Sequence, residues 1–369
     1  MNKKKIFFVS TNKIFGGSEK LWIETVLENY KKIDFTVFVY YEHEIIDTLK
    51  SKVKVFVFNK REPFINKMKN KFLNKTSDFK ILLLSFQPDL VVFSNGEPFS
   101  FLREGEVVNY LNIKYIIVNH LISDFHWLSI NNSNYSRYLA VYKNSQANFF
   151  VSNDNLYRFK QMLGDFKNSY IIKNPITFKV DEVIDYPQVK DFFQIAFVGR
   201  FEFYHKGIDL LLNALKDKIW EQRNVIFNFY GEGPHNSILK KEIVENKLTF
   251  CKVHDFIDDV TTIWRTNQIM VLTSRFEGMS LSITEASYYG RPSIVTNVGG
   301  ASEQIIDGET GFLINQISSE SILSMLNKAW ECRLRWKEMG LKAREEYLRS
   351  IKKDPVEEFT EKIIQYSEL

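Results

Sequence analysis

The sequence predicts an α/β protein made of two doubly wound, Rossmann-like parallel sheets. Three observations predict it. Short, near-continuous apolar runs such as residues 6–10 have the character of parallel strands buried on both faces. Between such runs lie segments of helical period, for example Ile23, Val26, Leu27 and Tyr30 at i, i+3, i+4 and i+7. The alternation then begins a second time after a polar stretch, in a chain of 369 residues, which is long for one core and suited to two domains.

The elements follow in order. Strand 6–10 feeds a turn at Gly16-Gly17 and then the first helix. Further strands are expected at 35–41, 53–58, 90–94, 115–119, 149–152 and 170–173, giving an N-terminal domain over 1–173. Residues 174–192 are polar, contain Pro187, and read as a linker. A second domain over 193–350 has strands at 194–198, 225–230, 269–273, 293–297 and 311–314. One of its helices starts near Ser280 and stops at Gly290-Arg291-Pro292, a Gly-then-Pro signal. From about Ser318 the chain is helical and charged, and Pro355 opens a last helix, so 351–369 form a C-terminal helical tail. Paired doubly wound domains are expected to bind ligand in a central cleft, at the C-terminal ends of their strands.

Composition narrows the function. Lys and Arg number 49 against 45 Asp and Glu, a net charge of +4, too mild for a nucleic-acid binder. Cys251 and Cys332 support neither a disulfide framework nor a thiolate metal site, so a cytoplasmic location is expected. The apolar run at 6–10 is too short for a signal peptide and is broken by Thr11-Asn12-Lys13. No run approaches the roughly 18 apolar residues that span a bilayer, so membrane contact is expected to be peripheral, on the inner face. Residues 50–80 are the candidate for it. They carry ten Lys or Arg against Glu62 and Asp78, interleaved with Phe64, Ile65, Met68, Phe72 and Leu73.

The stretch from Ser274 to Ala286 carries the chemistry. Glu277 falls in a loop and Glu285, eight positions on, falls on the helix that follows. The unsatisfied backbone N–H groups near Ser280, Leu281 and Ser282 suit a phosphate. Carboxylates bind sugar hydroxyls, so this stretch points to a nucleotide-sugar. Gly16 and Gly17 lie between strand and helix, where backbone approaches a pyrophosphate closely. Arg200 and Lys206 follow the first strand of the second domain and can meet the charge of a departing diphosphate. His120 ends one strand, and Asn95-Gly96-Glu97 ends the strand before it, both on the cleft side. No Asp-x-Asp occurs, the six histidines lack ligand spacing, and Asp258-Asp259 are adjacent. No catalytic metal and no cofactor beyond the nucleotide-sugar are expected.

Residues 274–286 resemble the E-x7-E signature of the retaining glycosyltransferases of family 4, which have the GT-B fold. Other segments match in the expected order: Gly16-Gly17-Ser18-Glu19, Val198-Gly199-Arg200 with Lys206-Gly207, Tyr230-Gly231-Glu232-Gly233-Pro234, Thr296-Asn297-Val298-Gly299-Gly300 with Glu303, and Asp307-Gly308-Glu309-Thr310-Gly311-Phe312-Leu313. The match covers nearly all of the second half and is thinner in the first.

The resemblance implies a metal-independent retaining glycosyltransferase. It would move a sugar from a UDP-, GDP- or ADP-sugar to an acceptor held by the first domain, a lipid-linked or surface-polysaccharide intermediate. It also implies roles. Glu277 touches the donor sugar and Glu285 the ribose hydroxyls. Arg200 and Lys206 hold the diphosphate, and Gly231 lies near the diphosphate or the nucleoside. His254 and Phe256 lie where backbone groups cradle the nucleobase. His120 contacts donor sugar or diphosphate, with His126 as its rival, and His126 and Glu97 are candidates for the acceptor. The departing phosphate, rather than a side chain, takes the acceptor proton. The C-terminal tail crosses back onto the first domain. Two alternatives stay open: a sugar phosphorylase or disaccharide synthase with a soluble acceptor, and a non-catalytic nucleotide-sugar-binding subunit.

Overall fold

The structure is a computed structural model, and it describes residues 3–12, 16–58, 75–96, 99–176 and 184–369. It forms two α/β units, one comprising Met1–Pro175 with Lys353–Leu369 and the other Ile176–Lys352.

The first unit holds β1 (Lys5–Ser10), β2 (Asp34–Val39), β3 (Lys54–Val57), β4 (Leu90–Asn95), β5 (Tyr115–Asn119), β6 (Ala147–Phe150) and β7 (Ser169–Ile171), in the order β3-β2-β1-β4-β5-β6-β7. All pairs are parallel, with Val9 opposite Phe38 on one side and Phe93 on the other. The central strands are buried on both faces, which is why they read as unbroken apolar runs. Residues 149–152 were expected as one strand, but the strand starts earlier and stops at Phe150. Ser152 instead caps the helix Asn153–Leu163, its Oγ accepting from the Asn155 N–H at 3.2 Å.

The helix Pro355–Glu368 belongs to this first unit. Asp354 caps it, accepting from the N–H groups of Val356 and Glu357 at 2.8 and 3.0 Å, and Pro355 sits in its first turn. Phe359, Ile363 and Tyr366 are buried in the core that Phe8, Trp22 and Phe149 build, and Asn29 donates to Thr360 at 3.2 Å.

The second unit holds β8 (Phe193–Val198), β9 (Val225–Tyr230), β10 (Cys251–His254), β11 (Ile269–Leu272), β12 (Ser293–Thr296) and β13 (Gly311–Ile314), in the parallel order β10-β9-β8-β11-β12-β13. Strand β10 was not anticipated. It lies at the sheet edge, and only Cys251 of its four residues is fully buried, so its hydrophobic signal is weak. Residues 184–192, expected as linker, pack on this unit: Ile184 lies in its core and the Tyr186 hydroxyl donates to the Gln268 carbonyl at 3.0 Å.

Among the described residues no helix is long and apolar enough to cross a membrane. Most of the basic stretch, residues 59–74, lies outside the described residues.

Candidate active site

Four neighbouring strands of the second sheet, β9, β8, β11 and β12, end side by side at one edge, because all run parallel. The loops that leave them carry the residues singled out in the sequence. Two glycines let these loops close on one another. Gly231 has φ 140°, and a Cβ there would stand 2.2 Å from the Gly199 carbonyl oxygen. Gly299 has φ 56°, and its Cβ would stand 2.2 Å from the Glu277 carbonyl oxygen. The next residue, Gly300, donates its N–H to the Gly278 carbonyl at 2.7 Å, fixing the Glu277 loop against the loop after β12.

Glu277 is the hub. Its Oε1 accepts from Lys206 Nζ at 2.6 Å and from Ser274 Oγ at 2.6 Å. Lys206 closes the short helix Phe203–Lys206 after β8, while Ser274 and Glu277 follow β11. Both partners are largely buried, with side-chain exposures of 16% and 13%. Burial alone would raise the Glu277 carboxyl, but Lys206, His205 and the hydrogen bonds from Lys206 and Ser274 outweigh it. The net effect holds the carboxyl below its ordinary range and keeps it ionised.

Arg200 stands on the same β8 loop but pairs with Glu202 at 2.7 Å, both about one-third exposed. The structure thus gives each of the two expected phosphate cations its own carboxylate partner.

Glu285 lies on the helix Leu281–Tyr288 and is buried. That helix is tied to the sheet by Ser282, whose Oγ donates to the Val198 carbonyl at 2.9 Å. The Ser282 hydroxyl therefore holds the helix to β8. What the first turn, Ser280 to Ser282, offers a ligand is its backbone amides. The Ser280 carbonyl accepts from Gln304 Nε2 at 3.1 Å.

At the other side of the edge, His254 ends β10 directly opposite Tyr230 at the end of β9. Its Nε2 is 3.0 Å from Asn228 Oδ1, so it is wired into the sheet edge. Burial, then Lys252, lowers its basicity against the opposing pull of Asp255, favouring the neutral ring. Phe256 beyond it is 63% exposed.

The first unit has its own strand-end cluster. Gly16 precedes the helix Gly17–Asn29, and its N–H donates to Glu19 Oε2 at 2.7 Å. The same carboxylate takes Ser18 Oγ at 2.7 Å and the Asn12 side-chain amide, and Asn12 Oδ1 accepts the Gly96 N–H at 2.7 Å. Glu19 is buried, and burial raises its carboxyl above the ordinary range. His120 directly follows β5 and is also buried, with Nε2 at 3.0 Å from Ser94 Oγ. Burial pulls its pKa down to about 4, against a weak pull from the Asn174 side chain. Among the described residues, His120 Nδ1 and Asn174 Oδ1 are both sealed from solvent without a full hydrogen-bond partner. His126 braces the turn Asp124–Ser129: its Nδ1 accepts the Ser123 N–H at 3.0 Å, and burial brings it also to about 4. The Nδ1 side of the His126 ring is therefore engaged internally with Ser123. Glu97 lies outside the described residues.

Sequence reasoning passed over two residues. Glu19 entered only as the last letter of a motif. His205, next to Lys206, stacks on Phe276 with centroids 4.4 Å apart and planes 9° from parallel, and its Nε2 stands 4.0 Å from Glu277 Oε2. Among the described residues no three His, Cys, Asp or Glu side chains gather as a metal site would require.

Residues 193–331 match the family described as glycosyl transferases group 1. An uncharacterised glycosyltransferase of Methanocaldococcus jannaschii is 26% identical over 325 residues, covering 84% of this chain and 85% of that one. An uncharacterised 41.2 kDa protein in the cps region of Klebsiella pneumoniae is 31% identical over 138 residues, 37% of each chain, so this match spans about a third of either protein. Among solved structures, Anabaena HepE in complex with UDP has the same fold, with a TM-score of 0.76 over 98% of both chains at 17% identity.

Proposed function

We propose that the chain, a glycosyltransferase enzyme by its group 1 domain and its sequence relatives, moves a sugar from a nucleoside diphosphate sugar to a glycan or lipid-linked acceptor. The transfer retains anomeric configuration and uses no metal ion, and Glu277 and Glu285 are the two carboxylates of a family 4 E-x7-E pair. The observation that carries this reading is the 2.6 Å pair of Lys206 and Glu277 at the strand ends of the second unit. It puts an ionised carboxylate for sugar hydroxyls beside a cation for phosphate, next to a helix N-terminus.

In this reading Lys206 and Arg200 face the diphosphate, with the amides of Leu281 and Ser282 as further donors. As the glycosidic bond breaks, negative charge grows on the diphosphate, and these prearranged groups stabilise it more than the ground state. The acceptor proton passes to the departing phosphate oxygen. Buried Glu285 takes the ribose hydroxyls, and the base lies near the edge formed by Tyr230 and His254. UDP-sugars are the first donors to try, since the HepE structure contains UDP. The excess of cations in residues 50–80 favours an anionic membrane as the place where the acceptor is met.

A thermal-shift panel of UDP-, GDP- and ADP-sugars with EDTA present tests this. A donor at 100 times its Kd stabilises the native state by about 2.7 kcal/mol. One nucleotide class is expected to shift the wild type and not Glu285→Ala. A shift that needs a divalent cation would remove metal independence, and no shift from any donor on folded protein would remove the reading.

A further inference from the structure

We propose that His205 is the stand-by partner of Glu277: when a diphosphate draws Lys206 away, a protonated His205 closes on the carboxylate and takes the place of the lysine. The inference rests on the reading of this edge as a donor site.

Three observations place His205 for that role. Its ring is held flat against Phe276, so it keeps its direction whether or not it is charged. Its Nε2 is sealed from solvent, has no hydrogen-bond partner among the described residues, and stands 4.0 Å from Glu277 Oε2, about 1 Å beyond hydrogen-bonding distance. The other carboxylate oxygen, Oε1, is already occupied by Lys206 and Ser274. A buried nitrogen left short of an available acceptor is an arrangement that a small movement would improve.

The charges around the ring explain why the gap stays open before donor arrives. Burial first and Lys206 second lower the basicity of His205 below that of an ordinary imidazole, against the opposing pulls of Glu277, Glu202 and a hydrogen bond with the Phe276 backbone. Arg275, on the facing loop, is directed elsewhere, with its guanidinium on Asp209 at 2.6 and 2.8 Å. Moving Lys206 toward a diphosphate reverses the balance. The repelling cation recedes, and the attracting carboxylate loses its closest counter-charge. A proton from solvent then settles on Nε2, and Glu277 stays ionised and in place for the sugar.

Donor binding is therefore linked to proton uptake at His205. The test is calorimetry of donor binding between pH 6 and 8 in two buffers of different ionisation enthalpy. The probes are UDP-glucose, UDP-N-acetylglucosamine, GDP-mannose and ADP-glucose, whose diphosphate diesters do not titrate in this range. The wild type is expected to take up a fraction of a proton with its best donor and to bind more weakly as pH rises. His205→Phe keeps the stack and is expected to take up none and to lose about tenfold in affinity. His205→Gln supplies a neutral donor, so it is expected to recover affinity but not proton uptake. Wild-type affinity and proton count in His205→Phe would overturn the proposal; should that variant not fold, wild-type proton uptake in His205→Gln would do so. Failure of the wild type to bind any of the four donors would instead overturn the donor-site reading, and this proposal with it.

Discussion

Tyr230 and His254 stack face to face across neighbouring strands, with ring centroids 4.4 Å apart and planes 14° from parallel. They are register partners at the last residues of β9 and β10. The Tyr230 hydroxyl accepts from Asn267 and His254 Nε2 meets Asn228, while Asn228 and Asn267 are bonded to each other at 2.9 Å. His254→Ala is expected to free this edge and to weaken nucleotide binding by about 1 kcal/mol, roughly fivefold, with a smaller effect on Tm. Binding of UDP by calorimetry checks it, and equal UDP affinity in a folded variant would dissociate the stack from the site.

Lys206 and Glu277 are expected to be energetically coupled. A double-mutant cycle with Lys206→Met and Glu277→Gln, read by urea unfolding, should return a coupling of about 0.5–3 kcal/mol. Each single variant leaves one buried group without its partner and should be the less stable for it. Arg200→Ala behaves differently. Its pair with Glu202 is one-third exposed and worth about 0–1 kcal/mol, so stability should hardly move. Turnover should nevertheless fall by about 10²–10³, as for loss of one prearranged charge donor. Near-normal turnover would take Arg200 out of the mechanism.

Stability is expected to fall on acidification in two stages. His120 and His126 are held neutral to about pH 4, against an ordinary value of 6.5. Between those values the unfolded chain binds protons that the folded one does not, so stability is full above 6.5 and declines below it. His120→Gln should flatten the Tm profile in that window. Glu277 has a lowered carboxyl, so its contribution is present above the ordinary value of 4.5 and is lost as pH falls further. Glu277→Gln should therefore remove slope only at the acid end. A variant profile parallel to the wild type throughout would contradict either assignment.

Glycine substitutions separate folding from binding. Gly231→Ala and Gly299→Ala each drive a Cβ to 2.2 Å from a carbonyl oxygen at positive φ and are expected to cost more than 1 kcal/mol, or several degrees of Tm. Gly16→Ala meets nothing within 4 Å among the described residues, and φ there is −159°. It should leave Tm unchanged while obstructing any ligand phosphate that must approach the backbone. Unchanged turnover in that variant would show that no such approach occurs.

Much of this was legible in the sequence because central parallel strands are apolar on both faces. Runs such as Leu90–Asn95 announce themselves. Edge strand β10 did not, since its exposed Lys252 and half-buried His254 dilute the signal. The individual residues Glu277, Lys206 and Arg200 stood out through motif resemblance, but their pairing did not. Lys206 and Glu277 are 71 positions apart, and spacing along the chain does not say that Lys206 turns to Glu277 while Arg200 turns to Glu202. The bracing role of His126 was hidden for a related reason: a histidine three residues from a serine reads the same whether its ring faces a ligand or caps a turn.

The helix Pro355–Glu368 completes the core of the first unit, yet it is encoded after the whole of the second. During synthesis the N-terminal sheet must therefore wait with an unfilled seat for Phe359, Ile363 and Tyr366. Neither a nascent chain halted after the second unit nor a proteolytic product lacking residues 353–369 would have a finished first unit. Translation order thus makes the completion of the first unit's core wait for residues synthesised after the whole of the second.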